Sequence, residues 1–311
     1  MKTVVVTGAD SFIGQHLISL LALEDGVQIR ALVHGSEGND KFNPNKISII
    51  KGDILEPDSL NNLLVAGCSV INLAYLWHGA QEENLQALSN LVQLCRKAKV
   101  KRFVHCSTAV VAGRARGDLI TEQTLCQPID AYQKNKLAME QFLFDQLIND
   151  CEAVILRPTG VFGPGGKNLL RLADGLTHGN RWFNYLKSSL FGQRRMNLVC
   201  VDNVVAAINF LLQIDKSINH EVFIISDDES PLNNYRDLET YLMQKFAIND
   251  YLFLPLSFLS MFLPLFLRLA KRANPNPNVT YTCKKLTDLG LIKPVTFEQG
   301  LNKFVNWYKK Q

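Results

Sequence analysis

The amino-terminal segment KTVVVTGADSFIGQHLISLLAL predicts a buried strand, a tight turn and an amphipathic helix in direct succession. The apolar run from Val4 to Val6 forms the strand, and leucines at helical spacing follow the turn. Gly8 permits the tight turn, and Gly14 permits the helix to pack closely on the sheet. The exposed N–H groups at the start of such a helix attract phosphate. The segment therefore predicts a βα unit with an anion site at its turn.

One position departs from the glycine-rich pattern of this turn. Ser11 stands where a G-x-x-G-x-x-G sequence has its middle glycine, so a Cβ and a hydroxyl lie where a dinucleotide would approach. We expect this hydroxyl either to bond a phosphate or to cap the helix. The alternative for the whole turn is a strand-to-helix connection that binds no nucleotide. Its place at the start of an alternating α/β pattern favours the nucleotide site.

Strands and helices continue to alternate along the chain. EAVILRP (152–158) and EVFIIS (221–226) predict further strands, and DNVVAAINFLLQ predicts the helix between them. This alternation predicts an α/β fold with a doubly wound parallel sheet. With 311 residues, 47% of them hydrophobic, the chain is long enough to bury a large core.

A second chemical pattern lies in DAYQKNKLAMEQFLFDQLIND, which predicts a helix because 131–150 contains neither Pro nor Gly. Tyr132 and Lys136 are one turn apart, so their side chains should share a face. A free phenol has a pKa of about 10, and a nearby ammonium favours the phenolate, which makes the Tyr a usable proton donor or acceptor. Taken alone, the pair would equally fit a solvated Lys beside a half-buried Tyr.

The segment KRFVHCSTAVVAG adds hydroxyls at the end of a predicted strand. Ser107 and Thr108 follow the apolar run at its carboxyl end, where ligands bind in open α/β sheets. Thr108 could donate a hydrogen bond to the oxygen that Tyr132 protonates, which would polarise a carbonyl from two sides. The alternative is that the two hydroxyls only cap the strand end.

Together these elements resemble the extended short-chain dehydrogenase/reductase family, in its NAD-dependent epimerase/dehydratase branch. The resemblance implies an enzyme with a Rossmann domain over 1–164 and 201–226 and a discontinuous substrate-binding lobe over 165–200 and 227–311. It rests on TGADSFIG (7–14), GDIL (52–55), INLAY (71–75), Asn84, Asn90, RFVHCSTAVVAG (102–113), YQKNK (132–136), LRPTGVFGPGG (156–166) and VCVDNVVAAI (199–208).

The resemblance also implies roles for individual residues. Tyr132 becomes the catalytic acid/base, and Lys136 holds the cofactor ribose and lowers the pKa of the Tyr. Thr108, five residues before Gly113, takes the place of the catalytic Ser/Thr and contacts substrate. The other expected cofactor contacts are Gly8, Asp10, Ser11, Phe12, Ile13 and Gly14 in the turn, His34 after the second strand, Asp53 and Ile54 beside the adenine, Leu73, Ala74 and Tyr75 along the dinucleotide, Ser107, and Pro158 against the nicotinamide.

The choice between NAD and NADP rests on the end of the second strand, VQIRALVH. NAD-preferring members of the family place an acid there and NADP-preferring members an Arg, whereas this chain has His34, Gly35 and Ser36. The missing acid removes repulsion toward a 2′-phosphate, and His34 could donate to one. The sequence therefore leans toward NADP, and the alternative is that His34 is only an exposed strand end.

The substrate is indicated by the segments after the sixth sheet strand. Gly160 and Met196 stand where nucleotide-sugar epimerases commonly carry an Asn and an Arg, but Arg194 and Arg195 could still clamp a diphosphate. The alternative for the pair is two solvated side chains in a loop. GPGGKNLLRLADGL and RRMNLVCVDNVV resemble a branch that handles nucleotide sugars for bacterial surface polysaccharides. We therefore expect an NAD(P)-dependent epimerase or reductase that acts at C4 of a nucleotide sugar.

Two other functions stay open at this stage. RPTGVFGPGG and Asn203 also resemble hydroxysteroid and sterol dehydrogenases, which oxidise an apolar ring alcohol and need no anion clamp. The second alternative is a non-catalytic regulator that senses a dinucleotide. Retention of Thr108, Tyr132 and Lys136 argues against the regulator.

Composition disfavours several other classes. Seven cysteines form no C-x-x-C pair and six histidines show no ligand spacing, so we expect no metal. Reduced thiols, and a first strand that leaves no room for a secretory signal, predict a cytoplasmic protein. The net charge of +4 is mild, and the basic cluster RKAKVKR (96–102) is more typical of a solvated turn than of a nucleic-acid site.

The most apolar run is YLFLPLSFLSMFLPLFLRLAKR (251–272), which has no charge over 251–267 and three cations at its end. A spanning helix needs about 20 apolar residues, and Pro255 and Pro264 would interrupt this one. One interpretation is a buried helix of the lobe or its homodimer contact. The other is an interfacial helix at the inner face of a membrane. The second predicts partial association with membranes that salt or detergent releases.

Overall fold

The computed structural model describes residues 2–34, 46–147, 150–269 and 276–311. The strands are β1 (Lys2–Thr7), β2 (Val27–Val33), β3 (Ile47–Lys51), β4 (Ser69–Asn72), β5 (Arg102–Cys106), β6 (Leu119–Ile120), β7 (Glu152–Pro158), β8 (Gly160–Phe162), β9 (Leu198–Cys200), β10 (Glu221–Ile225) and β11 (Thr280–Tyr281). The α-helices are α1 (Phe12–Leu21), α2 (Gln81–Ala98), α3 (Ala131–Gln146), α4 (Leu170–His178), α5 (Arg181–Phe191), α6 (Val201–Gln213), α7 (Tyr235–Lys245), α8 (Leu263–Leu269), α9 (Lys284–Asp288) and α10 (Phe297–Tyr308).

A parallel seven-stranded sheet has the order β10-β7-β5-β4-β1-β2-β3. The chain builds outward from β1 through β2 to β3, and then returns to β4 on the other side of β1. The order therefore reverses between β1 and β4, where Thr7 pairs with Asn72 at the carboxyl ends of both strands. Ligands of open α/β sheets bind at such a switch point. The predicted doubly wound α/β fold is confirmed.

Apolar side chains on both faces explain why β1 lies at the centre of the sheet. Val4, Val5 and Val6 are all buried although successive side chains point to opposite faces, so helices must cover both faces. On one face, Val5, Val70 and Phe103 pack with Leu88 of α2 and other buried side chains of α2 and α3. This core fixes α3 over the ends of β4 and β5.

The described residues divide into two compact units. The first comprises 1–108, 130–157 and 205–223, and the second comprises 109–129, 158–204 and 224–311. The second unit has its own core, in which Phe162 and Leu198 of the short β8–β9 pair meet Leu238 of α7 and Phe304 of α10. The domain boundaries expected from the resemblance stay a prediction.

The apolar run over 251–272 does not form one helix. A 3-10 helix over Ser257–Phe262 leads directly into α8, and residues 270–272 lie outside the described part of the chain. Pro264 falls in the first turn of α8, where its missing N–H costs no intrahelical bond. Among the residues that the structure describes, no helix combines the length and apolar character needed to cross a bilayer.

Candidate active site

The turn after β1 brings backbone atoms very close together. Gly8 has φ +66°, and a Cβ there would lie 2.9 Å from the backbone N of Ala74. A Cβ at Gly14 would lie 2.3 Å from the carbonyl oxygen of Gly8. Glycine is therefore required at both positions, because a side chain at Gly8 would meet the backbone after β4 and one at Gly14 would push α1 away from the turn.

Ser11 caps the helix that follows this turn. Its Oγ accepts a hydrogen bond of 3.1 Å from the backbone N of Gly14, which is one of the two roles expected for this hydroxyl. Asp10 is exposed beside it, and Phe12 and Ile13 are half-buried in the first turn of α1. The cap fixes the first turn of α1. The free N–H groups of this turn lie at the switch point of the sheet.

Three side chains form a buried hydrogen-bonded row across the ends of β1, β4 and β5. Thr7 Oγ1 donates to Asn72 Oδ1 at 2.6 Å, and Asn72 Nδ2 donates to His105 Nδ1 at 3.1 Å. His105 therefore carries its proton on Nε2. Burial lowers the pKa of His105 well below its ordinary value, and the nearby Lys136 acts in the same direction. The row joins the ends of β1, β4 and β5 beneath α3, and its imidazole is neutral.

The structure places Tyr132 next to Thr108. Asp130 caps α3 by accepting from the backbone N of Gln133 at 2.8 Å, and this sets Tyr132 in the first turn. The Tyr132 and Thr108 side chains are hydrogen-bonded. Burial raises the pKa of Tyr132 well above that of a free phenol, while the bond to Thr108 lowers it. The direction is opposite to the one expected from Lys136, because the loss of solvation outweighs the other effects.

Lys136 is fully enclosed by the first unit. Its Nζ donates to the carbonyl oxygen of Cys106 at 3.2 Å and lies 4.6 Å from the centroid of the Tyr75 ring. Burial lowers the pKa of Lys136 to about 8, although Glu140 one turn further along α3 acts to raise it. Lys136 is therefore mostly charged at pH 7, and an acceptor on a bound ligand would further stabilise the charged form.

An aromatic cluster that sequence reasoning missed lies against Tyr132. The Trp77 ring stacks on the Tyr132 ring at a centroid distance of 5.2 Å and an interplanar angle of 10°. Tyr75 meets both rings edge-on, at 5.0 Å from Trp77 and 5.2 Å from Tyr132. Trp77 is 72% exposed. Only its position two residues after INLAY could have indicated it, since a loop residue has no periodicity.

Two buried polar atoms next to these residues lack a partner within the described part of the chain. They are Ser107 Oγ at the end of β5 and Asn135 Oδ1 on α3, next to Lys136. The Nδ2 of Asn135 donates to Tyr75 Oη at 3.3 Å. A buried polar atom without a partner is costly, so such atoms mark places where a ligand can bond.

The residues expected to contact the adenosine half of the cofactor lie in different environments. Asp53 follows β3, accepts from the backbone N of Leu55 at 2.9 Å, and has an oxygen 3.4 Å from His34 Nε2. Ile54 is buried in the core under α2, so its side chain packs inward. Leu73 and Ala74 are half-buried at the switch point. Gly35 and Ser36 lie outside the described residues.

Pro158, Arg194 and Arg195 belong to the second unit. The guanidinium carbon of Arg194 lies 5.9 Å from the Phe191 ring centroid. Burial raises the pKa of Asp228 to about 6, and the positive charge of the nearby Arg195 opposes that rise. Both arginines are half-buried, and their role stays a prediction. No cluster of metal ligands occurs among the residues that the structure describes.

Comparison with known proteins identifies the family. The family model described as "NAD dependent epimerase/dehydratase family" matches residues 4–226, and the chain therefore belongs to that family. Solved structures share the fold. The NAD complex of dTDP-glucose 4,6-dehydratase from Bacillus anthracis superposes with a TM-score of 0.76 at 16% identity, over 100% of this chain and 97% of that one.

Curated relatives are similar over part of their length. The chain is 28% identical over 187 residues to a decarboxylating sterol-4-alpha-carboxylate 3-dehydrogenase of Candida albicans, which is 55% of this chain and 53% of that protein. It is 28% identical over 183 residues to an uncharacterized UDP-glucose epimerase of Bacillus subtilis, which is 52% of this chain and 57% of that protein. The chain spans about half the length of these curated relatives.

Proposed function

We propose that this chain is an NAD(P)-dependent oxidoreductase that acts on a carbon bearing oxygen in a ring substrate. The observation that carries the proposal is the hydrogen bond between Tyr132 and Thr108 beside the buried Lys136 at the carboxyl end of β5. A phenol and a hydroxyl that lie next to each other can both form hydrogen bonds with a single substrate oxygen. This is the arrangement that hydride transfer at an alcohol or ketone requires.

The residues at the switch point fit a nicotinamide dinucleotide. Gly8 and Gly14 leave no Cβ at the turn, and the start of α1 offers N–H groups to a pyrophosphate. Ser107 Oγ and Asn135 Oδ1 are buried polar atoms that need a partner, and Lys136 would hold the ribose. When bound, the nicotinamide supplies or accepts the hydride.

Tyr132 acts first as an acid in this proposal. Because burial raises its pKa, the hydroxyl is protonated at neutral pH and ready to donate its proton to a carbonyl oxygen. With substrate bound, Thr108 would donate its single proton to the same substrate oxygen, in place of the hydrogen bond that it makes to Tyr132 in the free protein. In the oxidative direction Tyr132 must first lose its proton. An ammonium form of Lys136 held near the Tyr would favour that loss.

The contact between His34 and Asp53 supports NAD rather than NADP. A carboxylate oxygen of Asp53 lies 3.4 Å from His34 Nε2, so the donor that could have met a 2′-phosphate already has an acceptor. The same carboxylate would repel a phosphate at this edge of the sheet. Asp53, after β3, thus provides the carboxylate that is missing at the end of β2.

For the substrate, we favour a ring alcohol or ketone without a diphosphate. Trp77 and Tyr75 set an aromatic wall against Tyr132, which suits an apolar ring. Arg194 packs over Phe191, and Arg195 lies near Asp228, so both guanidinium groups have neighbours inside the second unit. Gly160 has no side chain with which to bind a phosphate, and a Cβ there would lie 3.1 Å from Leu198 Cδ2. The similarity to a sterol-4-alpha-carboxylate 3-dehydrogenase agrees with this class.

The second candidate is the nucleotide-sugar epimerase or reductase expected from the sequence, acting at C4. The similarity to a UDP-glucose epimerase supports it, and two adjacent arginines remain suited to a diphosphate if they can exchange their present neighbours. In that case Tyr132 would remove the proton of the C4 hydroxyl and return it to the oxygen after the ring has turned.

Turnover with a substrate panel tests the proposal. The purified protein is incubated with NAD(H) or NADP(H) and with sterol alcohols, aromatic ring ketones and UDP-, dTDP- and GDP-sugars, while nicotinamide absorbance and product epimers are followed. We expect Tyr132→Phe to reduce turnover by about 10²–10⁴-fold with dinucleotide affinity nearly unchanged. Tyr241→Phe, on α7 of the second unit, removes a phenol hydroxyl that donates to Asn302 and serves as the matched control. Activity of Tyr132→Phe within a few-fold of the parent would remove Tyr132 from the mechanism.

A further inference from the structure

Tyr75 contacts three residues of α3 that share one face of the helix. Its ring centroid lies 5.2 Å from that of Tyr132, with the two rings nearly perpendicular at 89°. Its hydroxyl oxygen accepts a hydrogen bond of 3.3 Å from Nδ2 of Asn135, and Nζ of Lys136 lies over its ring, 4.6 Å from the centroid. Residues three and four apart lie on one side of a helix. One side chain from the loop after β4 therefore touches the proposed acid/base and its Lys partner.

Lys136 carries its charge in a place that is closed to water, since the residue is only 4% exposed. An ammonium has three donors, and Nζ uses one of them on the carbonyl oxygen of Cys106 at 3.2 Å. Burial lowers the pKa of Lys136 to about 8, because it disfavours the charged form. Any contact that stabilises the ammonium therefore changes the fraction of Lys136 that is charged just above neutral pH.

The acid one turn along α3 is already bonded to another cation. Both carboxylate oxygens of Glu140 accept from Nε of Arg157, at 2.9 and 3.2 Å. Glu140 still acts to raise the pKa of Lys136, but the charge of Arg157 offsets much of its field. The face of the Tyr75 ring meets the ammonium directly. A cation within about 6 Å of a ring centroid is attracted by the ring quadrupole, and the attraction is strongest where water is excluded.

The other titratable groups around the ammonium are uncharged at neutral pH. On β5, burial raises the pKa of the Cys106 thiol to about 11. Burial lowers the pKa of His105 well below its ordinary value, so its imidazole is neutral. Burial also raises the pKa of Tyr132, which leaves a neutral phenol at the start of α3. Besides the Cys106 carbonyl, the paired Glu140 and the ring of Tyr75 thus favour the charged form.

The Tyr75 side chain is held in a fixed orientation. Asn135 bonds its hydroxyl, and its ring packs against the core formed with α2 and α3. The next residue is fixed as well, because the backbone N of Leu76 donates to Oδ1 of Asn84 at 2.9 Å and the carbonyl oxygen of Leu76 accepts from Nδ2 of Asn84 at 3.1 Å. A ring fixed in this way can hold the ammonium in one position.

We propose that Tyr75 is a positioning residue for Lys136. Its ring face keeps the ammonium charged and in place, and its hydroxyl ties Asn135 to the same contact. A charged Lys136 is thereby available to the dinucleotide at pH values where burial alone would discharge it. The consequence for dinucleotide binding rests on the proposed role of Lys136 at the ribose, whereas the contact between the ring and the ammonium does not.

An NMR titration of the cofactor-free full chain tests the contact. The lysine side chains are isotope-labelled at Cε, and the Lys136 signal is the one that Lys136→Met removes. We expect Tyr75→Leu, which keeps an apolar side chain and removes the ring, to lower the titration midpoint of Lys136 by about one pH unit. Tyr75→Phe keeps the ring and should leave the midpoint near the parental one. Tyr241→Leu is the matched control, because it removes a ring whose centroid lies 5.1 Å from Nζ of the exposed Lys245 in the second unit.

Dinucleotide binding to the same variants tests the consequence, by isothermal titration at pH 6 and pH 8. The pKa of Lys136 is about 8 in the parent. If it is about 7 in Tyr75→Leu, the charged fraction of Lys136 differs little at pH 6 and by about fivefold at pH 8. We therefore expect Tyr75→Leu to weaken binding at pH 8 by about fivefold more than at pH 6. Loss of a direct packing contact alone would weaken binding equally at both pH values.

An unchanged or higher midpoint in Tyr75→Leu would overturn the inference. So would a midpoint that falls equally in Tyr75→Phe, because the ring would then be irrelevant. A lower midpoint in Tyr75→Leu, with the same ratio of variant to parental affinity at both pH values, would keep Tyr75 as the partner of Lys136 and overturn the ribose role instead. Circular dichroism establishes that each variant is folded. If Tyr75→Leu loses its fold, a ring-fluorinated phenylalanine at position 75 keeps the shape and weakens the quadrupole, so its midpoint should lie below that of Tyr75→Phe.

Discussion

The indole ring of Trp77 lies flat on the phenol ring of Tyr132, with their centroids 5.2 Å apart. The loop after β4 and the first turn of α3 are thereby joined at Tyr132, the proposed acid/base. Trp77 shields one face of Tyr132 from water and contributes to the burial that raises the Tyr132 pKa. We infer that Trp77 is a positioning residue, because it stacks on the ring of the proposed acid/base and fixes its orientation.

Trp77→Ala should move the pH dependence of ketone reduction. With one ring face open to water the pKa of Tyr132 falls, and the phenol form that donates the proton is lost at a lower pH. The basic limb of the kcat profile should therefore shift toward lower pH, with kcat at pH 7 reduced by about tenfold or less, since an aromatic pair contributes about 0.5–1.5 kcal/mol. Trp77→Phe keeps a stacked ring and should restore the parental profile. An unchanged profile in Trp77→Ala would leave the indole without a role at Tyr132.

Lys136→Met should stabilise the cofactor-free protein at neutral pH. The pKa of Lys136 is lowered to about 8 from an ordinary value of 10.5, so between those values the unfolded chain binds more protons than the folded one. Parental stability therefore rises with pH across that window, and at pH 7 the buried ammonium costs the folded state about 1–3 kcal/mol. Urea unfolding should give the variant a higher free energy of unfolding than the parent at pH 7. This difference should narrow toward pH 10.

The same substitution should weaken dinucleotide binding as well as the rate, because Lys136 is proposed to hold the ribose. Isothermal titration measures the first effect without turnover. Lys134→Met, exposed on the same helix, should change neither stability nor binding. If Lys136→Met lost only rate, the ribose role would be wrong.

The sequence was sufficient for the fold and for placing Tyr132 and Lys136 on one helix, because both depend on local patterns. The apolar run before Gly8 and the spacing of Tyr132 and Lys136 are set by the periods of strand and helix. It was not sufficient for Trp77, whose contact depends on how the β4 loop meets α3. Nor could it give the sign of the Tyr132 pKa shift, which depends on how deeply the ring is buried. The His34–Asp53 contact likewise joins the ends of two strands and has no local signal.

Gly14→Ala should disrupt the turn between β1 and α1. The new Cβ would lie 2.3 Å from the oxygen of Gly8 and 2.7 Å from that of Ala9, so α1 would have to move off the sheet. We expect a loss of more than about 2 kcal/mol in unfolding free energy together with lost dinucleotide binding. Gly175→Ala is the control, because its nearest neighbour would be Asn184 Oδ1 at 3.6 Å and an Ala in α4 should stabilise by about 0.5–1 kcal/mol. Tolerance of Ala at position 14 would show that the turn can open.

A buried ion pair involves Glu140, which lies on α3 one turn beyond Lys136. Glu140 accepts from Arg157 Nε at 2.9 Å, and both side chains are less than a tenth exposed. Removing one charge leaves the other buried and uncompensated, so Glu140→Gln should cost about 3–5 kcal/mol. The exposed pair Arg96–Asp150, with an N–O distance of 2.7 Å, is the matched control, and Asp150→Asn should cost less than about 1 kcal/mol.

The double variant Glu140→Leu/Arg157→Met separates the two contributions to that cost. Its apolar side chains leave no unpaired charge, so it should recover most of the stability that Glu140→Gln loses. It should not recover the state of Lys136, because the Glu140 carboxylate acts to raise the Lys136 pKa. In the double variant that pKa should fall further, which weakens dinucleotide binding at pH 8 more than at pH 6. If the ratio of the variant's dinucleotide affinity to the parent's is the same at pH 6 and pH 8, Glu140 serves the fold alone and has no part in charging Lys136.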